Sequence, residues 1–187
     1  QELESCLQSL DAQTEQNFEH IILRERGPLA RLRNEGLRLA RAPVVCFIDD
    51  DTVCPPTWVS SLLKVFKERP YIIGVTGPAI IPYAFKAQRD LFRYPFIRRV
   101  YDLLFLYPNC HLPGRITSAG TFTTAASEEG CAYEGEVEYL EACNMSFKTE
   151  ALKAVGGFDE AYGGIGDWSE PDVCFRLCRT YGDRSLW

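Results

Sequence analysis

No stretch of the sequence approaches the roughly 20 consecutive apolar residues that a membrane-spanning helix needs. No basic-then-apolar leader follows Gln1, so a signal peptide is not visible. Histidine is nearly absent: His20 and His111 are the only two, which argues against a histidine-built metal site. There are eight cysteines but no C-x-x-C pair, the spacing that zinc ribbons and thiol redox centres use. Cys46 lies inside an apolar run, and Cys174 and Cys178 share a helical face. Buried free thiols in a reducing cytosol are the simplest expectation. A basic stripe is also missing. With 20 Lys and Arg against 26 Asp and Glu, the chain carries −6 and is a poor candidate for nucleic-acid binding. Internal repeats, low-complexity tracts and a clear domain linker are lacking as well. What remains is 187 residues of ordinary apolar (46%) and charged (25%) content, enough for one domain with a sizeable core.

Along the chain, apolar spacing alternates between two periods. Leu3, Cys6, Leu7 and Leu10 predict a helix over 2–13, and Asn17–Leu23 reads as a short strand ended by Gly27-Pro28. Leu29–Ala40 returns to helical spacing, and Val44–Ile48 is the next strand. Pro55-Pro56 opens a helix to about Arg69, with Trp58, Val59, Leu62, Leu63 and Phe66 on its apolar face. Tyr71–Thr76 is a third strand. This alternation of helix and strand predicts a mainly parallel α/β sheet. Residues 83–107 mix aromatics with Arg89, Arg93, Arg98 and Arg99. They suit either a helix packed on its own domain, or a segment that lies on a membrane surface or lines a groove for a lipid-linked substrate. Residues 111–135, rich in Gly, Ser and Thr, predict a hairpin or loop. Glu136–Leu140 reads as a strand, and Thr149–Val155 as a short helix closed by Gly156-Gly157.

Two blocks carry chemistry. Asp49-Asp50-Asp51 follows directly on the apolar strand, so three carboxylates crowd at a strand's carboxyl end, where ligands bind in α/β sheets. Their repulsion costs free energy unless a cation or hydrogen-bond donors offset it. Hard oxygen ligands suit Mg²⁺ or Mn²⁺, which hold phosphates through one or two carboxylates. The plainer reading is a solvated turn that caps the next helix. The second block is Gly166-Asp167-Trp168-Ser169-Glu170-Pro171-Asp172-Val173. Ser169 fits a helix cap, Glu170 and Pro171 its first turn, and Asp172 a capping-box spacing. Ordinary capping explains these residues, and so does a carboxylate facing the aspartates as a general base.

With these blocks the chain resembles the family 2 glycosyltransferases of the GT-A fold. The resemblance lies in four segments in order. Pro28-Leu29-Ala30-Arg31-Leu32-Arg33-Asn34-Glu35-Gly36 is similar to the family's A-R-N-x-G helix start. Val45–Asp51, followed by Pro55 and Trp58, resembles its strand and D-x-D motif. Ala142–Lys148 and then Val155–Glu160 resemble its G-x-N-M-x-F-R and G-G-F-D-E block, and Ser169–Leu177 its E-D-x-D-L-x-x-R-L motif.

The resemblance implies a Rossmann-like three-layer sandwich forming a single domain over 1–187. Residues 1–77 would bind the nucleotide sugar, and 78–187 would bind the acceptor and carry catalysis. It implies transfer of a sugar from a nucleotide-diphosphate sugar to an acceptor hydroxyl with inversion, aided by Mg²⁺ or Mn²⁺. Asp51 would be the first metal ligand, with Asp49 as the second or facing the ribose or sugar. Arg33, Asn34 and Asp50 would join them at the donor. Glu170 occupies the place of the family's catalytic Asp, with Asp167 and Asp172 as alternative bases. Asn144 would hold a sugar and Trp168 offer it an apolar platform. The acceptor would be a carbohydrate or a lipid-linked one in surface polysaccharide or glycolipid synthesis, met at the cytoplasmic face of a membrane. A catalytically silent carbohydrate-binding relative, or a nucleotidyltransferase on a similar sheet, is the competing expectation.

The sequence departs from the family pattern in three places. The family's first strand, V-x-V-x-I-P-x-Y-N, has no counterpart here, and Leu23-Arg24-Glu25-Arg26 stands where D-D-G-S would end the second. The sequence ends at Leu186-Trp187, where a further strand would come. The expectation is a piece of a longer polypeptide, poorly stable and inactive by itself.

Overall fold

The structure, a computed structural model, describes residues 2–80, 94–104, 112–116, 123, 133–162 and 168–187. In chain order the elements are α1 (Glu2–Asp11), α2 (Leu29–Leu39), β1 (Val44–Ile48), α3 (Trp58–Glu68), β2 (Gly74–Thr76), α4 (Pro95–Leu104), β3 (Asn144–Lys148), α5 (Thr149–Ala154) and α6 (Ser169–Tyr181). The architecture is mixed α/β.

The sheet differs from the expectation of mainly parallel strands. Its order is β1-β3-β2, and β3 runs antiparallel to both neighbours. The β1-α3-β2 crossover does deliver two strands pointing the same way, as the alternation predicted. They are not neighbours, however, because β3 enters between them from far along the chain and pairs Val45 with Phe147 and Gly74 with Phe147. Parallel pairing survives at one bridge, between Gly74 and Leu186, where residues 185–187 exchange backbone bonds with Ile73, Gly74 and Thr76.

Two expected strands are absent. Asn17–Leu23 forms no strand, since no described segment offers it a ladder; Phe18 and Ile21 instead pack as single side chains against separate apolar clusters. Glu136–Leu140 is irregular too. Its amides go to scattered carbonyls (Val137 N–H to Leu186, Glu138 N–H to Gly114), while Val137, Tyr139 and Leu140 are buried. The strand comes eight residues later than expected, at Asn144–Lys148, where Met145, Ser146 and Phe147 are buried in succession, as in a central strand.

The period of two along β1 sorts the helices into layers. Val45 and Phe47 point into the main core with Met145, Phe147, Leu37, Leu152, Val173 and Leu177, so α2, α5 and α6 cover that face. Val44 packs with Leu62, Phe66 and Val75 under α3, and Ile48 with Cys6, Leu10 and Cys54 under α1. The result is a helix–sheet–helix sandwich. The expectation of buried thiols holds for Cys6, Cys54 and Cys174. It fails for Cys46, which is exposed on a strand hydrogen-bonded on one side only among the described residues. Cys110, Cys131, His111 and most of the expected 111–135 loop lie outside the described residues.

One side chain fixes the loop after the aspartates. Gln13, buried at the end of α1, donates from Nε2 to the Pro55 carbonyl (2.8 Å) and accepts the Val59 N–H (3.0 Å), satisfying a first-turn donor of α3. Ser9 accepts the Cys54 N–H at 3.0 Å. Gln13→Ala leaves the buried Val59 N–H unpaired. It should lower unfolding free energy by about 1–3 kcal/mol in chemical denaturation, whereas Ser61→Ala at an exposed position of α3 should change it little.

Candidate active site

The end of β1 delivers Asp49, Asp50 and Asp51 into a turn closed by the Thr52 N–H bonding the Asp49 carbonyl (3.1 Å). All three are exposed, and among the described residues none of their carboxylates has an ion-pair or hydrogen-bond partner. The neighbouring Cys6 thiol donates to the Asp49 carbonyl at 3.8 Å, and its pKa is pushed up by burial and then by the charges of Asp50 and Asp51. A shallow concavity of about 550 Å³ opens beside Asp51, lined by Glu2, Ser5 and Val53.

Behind this turn lies a buried ion pair. Arg33 of α2 places Nη1 at 2.5 Å from Oε1 of Glu170 in α6, and both residues are 6% exposed. Ser169 accepts from Arg33 (3.3 Å) and donates to the other Glu170 oxygen (3.3 Å). The capping expectation for Ser169 is therefore corrected. Trp168 is the N-cap residue and makes no side-chain cap bond, and Ser169 lies inside the helix with its hydroxyl spent on the ion pair. The Arg33 guanidinium also sits over the Phe158 ring, 5.4 Å from its centroid. Phe158 stands edge-on to Phe47 and Phe147, with centroids at 5.3 and 6.3 Å.

The position of Phe158 is enforced from two helices. Asn34 donates to the Phe158 carbonyl and accepts its N–H, both at 2.8 Å. Arg176, held by Asp172 at 2.6 Å, donates to the carbonyls of Val155 (2.5 Å) and Gly157 (2.8 Å). Gly156 and Gly157 turn there with φ of 86° and 70°, and a Cβ on Gly157 would meet Asn34 Oδ1 at 2.5 Å.

The expected site residues therefore separate. Arg33 and Glu170 are close enough to Asp49 to act on its charge. The Asp49 carboxyl is held above the usual aspartate range, first by the water its surroundings strip away and then by Asp51, Asp50 and Glu170, against the opposing pull of Arg33. Asn34 spends its polar atoms on Phe158 and Glu160, and Asp172 accepts from Arg176, which holds the carbonyls of Val155 and Gly157. Asn144 starts β3 opposite Ile48, and its Oδ1 accepts the Trp58 indole N–H at 2.9 Å. Trp168 is half exposed (46%) at the start of α6. Asp167 lies outside the described residues.

Sequence reading missed Gln13, Ser9, Ser169 as an ion-pair partner and the Trp58–Asn144 bond. Only the last had a signal, since both residues stood in quoted motif segments. Among the described residues no group of three or more His, Cys, Asp or Glu is arranged to hold a metal. Asp49 and Asp51 fit a divalent cation in another way, as two unpaired hard carboxylates whose shell a ligand's phosphates would complete.

Two outcomes follow from this electrostatics. Asp49 holds its proton more tightly folded than unfolded, so its contribution to stability is full below the ordinary aspartate pKa and is lost as pH rises through the folded value. Asp49→Asn should raise Tm at neutral pH in metal-free buffer, with the gain shrinking as pH falls through the acidic range. For the buried pair, Arg33→Met should cost about 3–5 kcal/mol, and Arg33→Met with Glu170→Leu clearly less, because the single change strands a buried charge. A double-mutant cycle in denaturant measures both.

Residues 1–124 match the family described as Glycosyl transferase family 2, a span that holds Arg33, Asn34 and the three aspartates and ends before Asn144 and Glu170. Over 165 residues the chain is 25% identical to the glucosyl-dolichyl phosphate glucuronosyltransferase of Haloferax volcanii, covering 83% of this chain and 43% of that protein. The chain thus spans less than half the length of this relative. With two thirds of its residues inside the family match, and with strand-end aspartates beside a buried Arg–Glu pair, the chain belongs to glycosyl transferase family 2.

Proposed function

We propose that this site transfers a sugar from a nucleoside-diphosphate sugar to an acceptor hydroxyl, with inversion at the anomeric carbon. The observation that carries the reading is the carboxylate turn Asp49–Asp51, without a partner among the described residues, beside Glu170, whose carboxylate is held in place by Arg33 and Ser169. A carboxylate offers about four acceptor positions, and Arg33 and Ser169 engage two. A remaining one can take the acceptor's proton as its oxygen attacks the anomeric carbon. The bond to the phosphate oxygen breaks on the opposite face, and the nucleoside diphosphate leaves. A divalent cation held by Asp51 and Asp49 would neutralise the charge that develops on this leaving group.

Arg33 acts as a positioning residue that fixes the Glu170 carboxylate. Asp50 completes the donor edge, Asn144 offers its amide N–H groups to a sugar, and Trp168 presents its ring to one. The relative's name specifies glucosyl-dolichyl phosphate and a glucuronosyl group. It supports a lipid-linked saccharide as the acceptor class here.

The test is a nucleotide-sugar panel with Mn²⁺ or Mg²⁺, read as donor turnover. Turnover should need the cation, and Asp51→Asn should weaken cation-dependent donor binding about tenfold or more. Glu170→Gln, which keeps an acceptor for Arg33, should lower kcat by about 10²–10⁴-fold with donor Kd unchanged. Wild-type turnover by that variant would remove Glu170 as the base, and turnover in a chelator would remove the cation.

A further inference from the structure

Helix α4 is turned inside out. Phe96, Val100, Leu103 and Leu104 recur at helical spacing and so share one face. In a globular domain that face would be buried, yet Phe96 is 76%, Leu103 71%, Leu104 72% and Val100 37% exposed, and Tyr94 just ahead of the helix is 64% exposed. Four large apolar side chains in one stripe form a contiguous patch, the kind that marks an interaction surface. Among the described residues no helix is long and apolar enough to cross a membrane, so α4 can at most lie on one.

Charge selects the occupant. Residues 83–107 carry five basic residues (Lys86, Arg89, Arg93, Arg98 and Arg99) against two acidic ones (Asp90 and Asp102), while the whole chain carries −6. In the sequence, positive charge is thus concentrated on and next to α4. A second copy meeting it through the same helix would bring another excess of local positive charge against it. An anionic lipid surface offers both an apolar layer for Phe96, Leu103 and Leu104 and opposite charge for the arginines, the combination that interfacial amphipathic helices use.

We propose that α4 is a membrane-surface anchor, lying in the interface of an anionic bilayer with Phe96, Val100, Leu103 and Leu104 inserted. The anchor goes beyond the transfer reading. Its measurement needs neither donor nor turnover, so either idea can fail without the other.

The experiment is co-sedimentation of the whole chain with vesicles of phosphatidylcholine, alone or mixed with phosphatidylglycerol. Partition should appear on the mixed vesicles, weaken with salt and be slight on the neutral ones. Phe96→Glu with Leu103→Glu alters exposed positions and should leave circular dichroism unchanged while lowering the partition coefficient at least tenfold. Arg98→Gln with Arg99→Gln, which keeps the apolar stripe, should lower it by about fivefold for each arginine. No partition by the wild type on the mixed vesicles, or wild-type partition by either variant, would overturn the anchor. So would a dimer in the wild type that the Phe96 and Leu103 changes dissociate, which would assign the stripe to a second copy.

Discussion

The Arg33–Glu170 pair is the constraint around which this half of the molecule is organised. Two charges at 6% exposure are costly to remove from water, and their attraction offsets that cost only if geometry and further hydrogen bonds are favourable. The surroundings supply those conditions one by one. Ser169 bridges the two groups, and Phe158 presents its ring face to the guanidinium. Phe158 in turn needs its loop held, which explains why Asn34, one residue from Arg33, and Arg176, six residues from Glu170, both spend their hydrogen bonds on residues 155–158. Helices α2 and α6 are thereby locked in register across the same face of the sheet.

The pair also leaves the acidic turn without a free cationic partner among the described residues. Arg33 is a single buried cation among Asp49, Asp50, Asp51 and Glu170, and Glu170 already claims it. A like-charged pair about 4 Å apart costs on the order of 1 kcal/mol in water and about 4 kcal/mol near a protein surface. A diphosphate entering beside three aspartates would meet that repulsion several times over. An added divalent cation reverses the sign of the local field, so cation and diphosphate would enter as partners.

Much of this was legible in the sequence, and the failures share one cause. Elements decided by local signals came out nearly as read: α1, α2, α3 and α5 from apolar spacing, β1 from its unbroken apolar run, and the end of α5 from Gly156-Gly157. The errors concern pairing over long sequence distance. A strand such as Asn17–Leu23 needs a ladder as well as β-formers, and no pattern within seven residues reveals whether one is present. The insertion of β3 between β1 and β2 joins residues about 100 apart, and it turned an expected parallel sheet into an antiparallel one. At the site, Ser169 and Asp172 looked like caps because capping is the local use of those residues. Arg33 and Arg176 captured them instead, and local spacing cannot rank that competition.

The motif residues then sort by what the fold leaves of them. Asn34 gives its carbonyl and amide groups to Phe158 and Glu160, Asp172 accepts from Arg176, and Arg33 is engaged by Glu170, Ser169 and Phe158. For these residues the family pattern is first a folding requirement, and mutating them changes the shape of the site along with its chemistry. Asp49, Asp50 and Asp51 contribute nothing comparable. Their side chains hold no described element in place, and Asp49 carries an electrostatic penalty. The aspartate turn is therefore the part of the site whose carboxylates no described residue engages, and the Arg33–Glu170 pair is the part whose form is set by the fold.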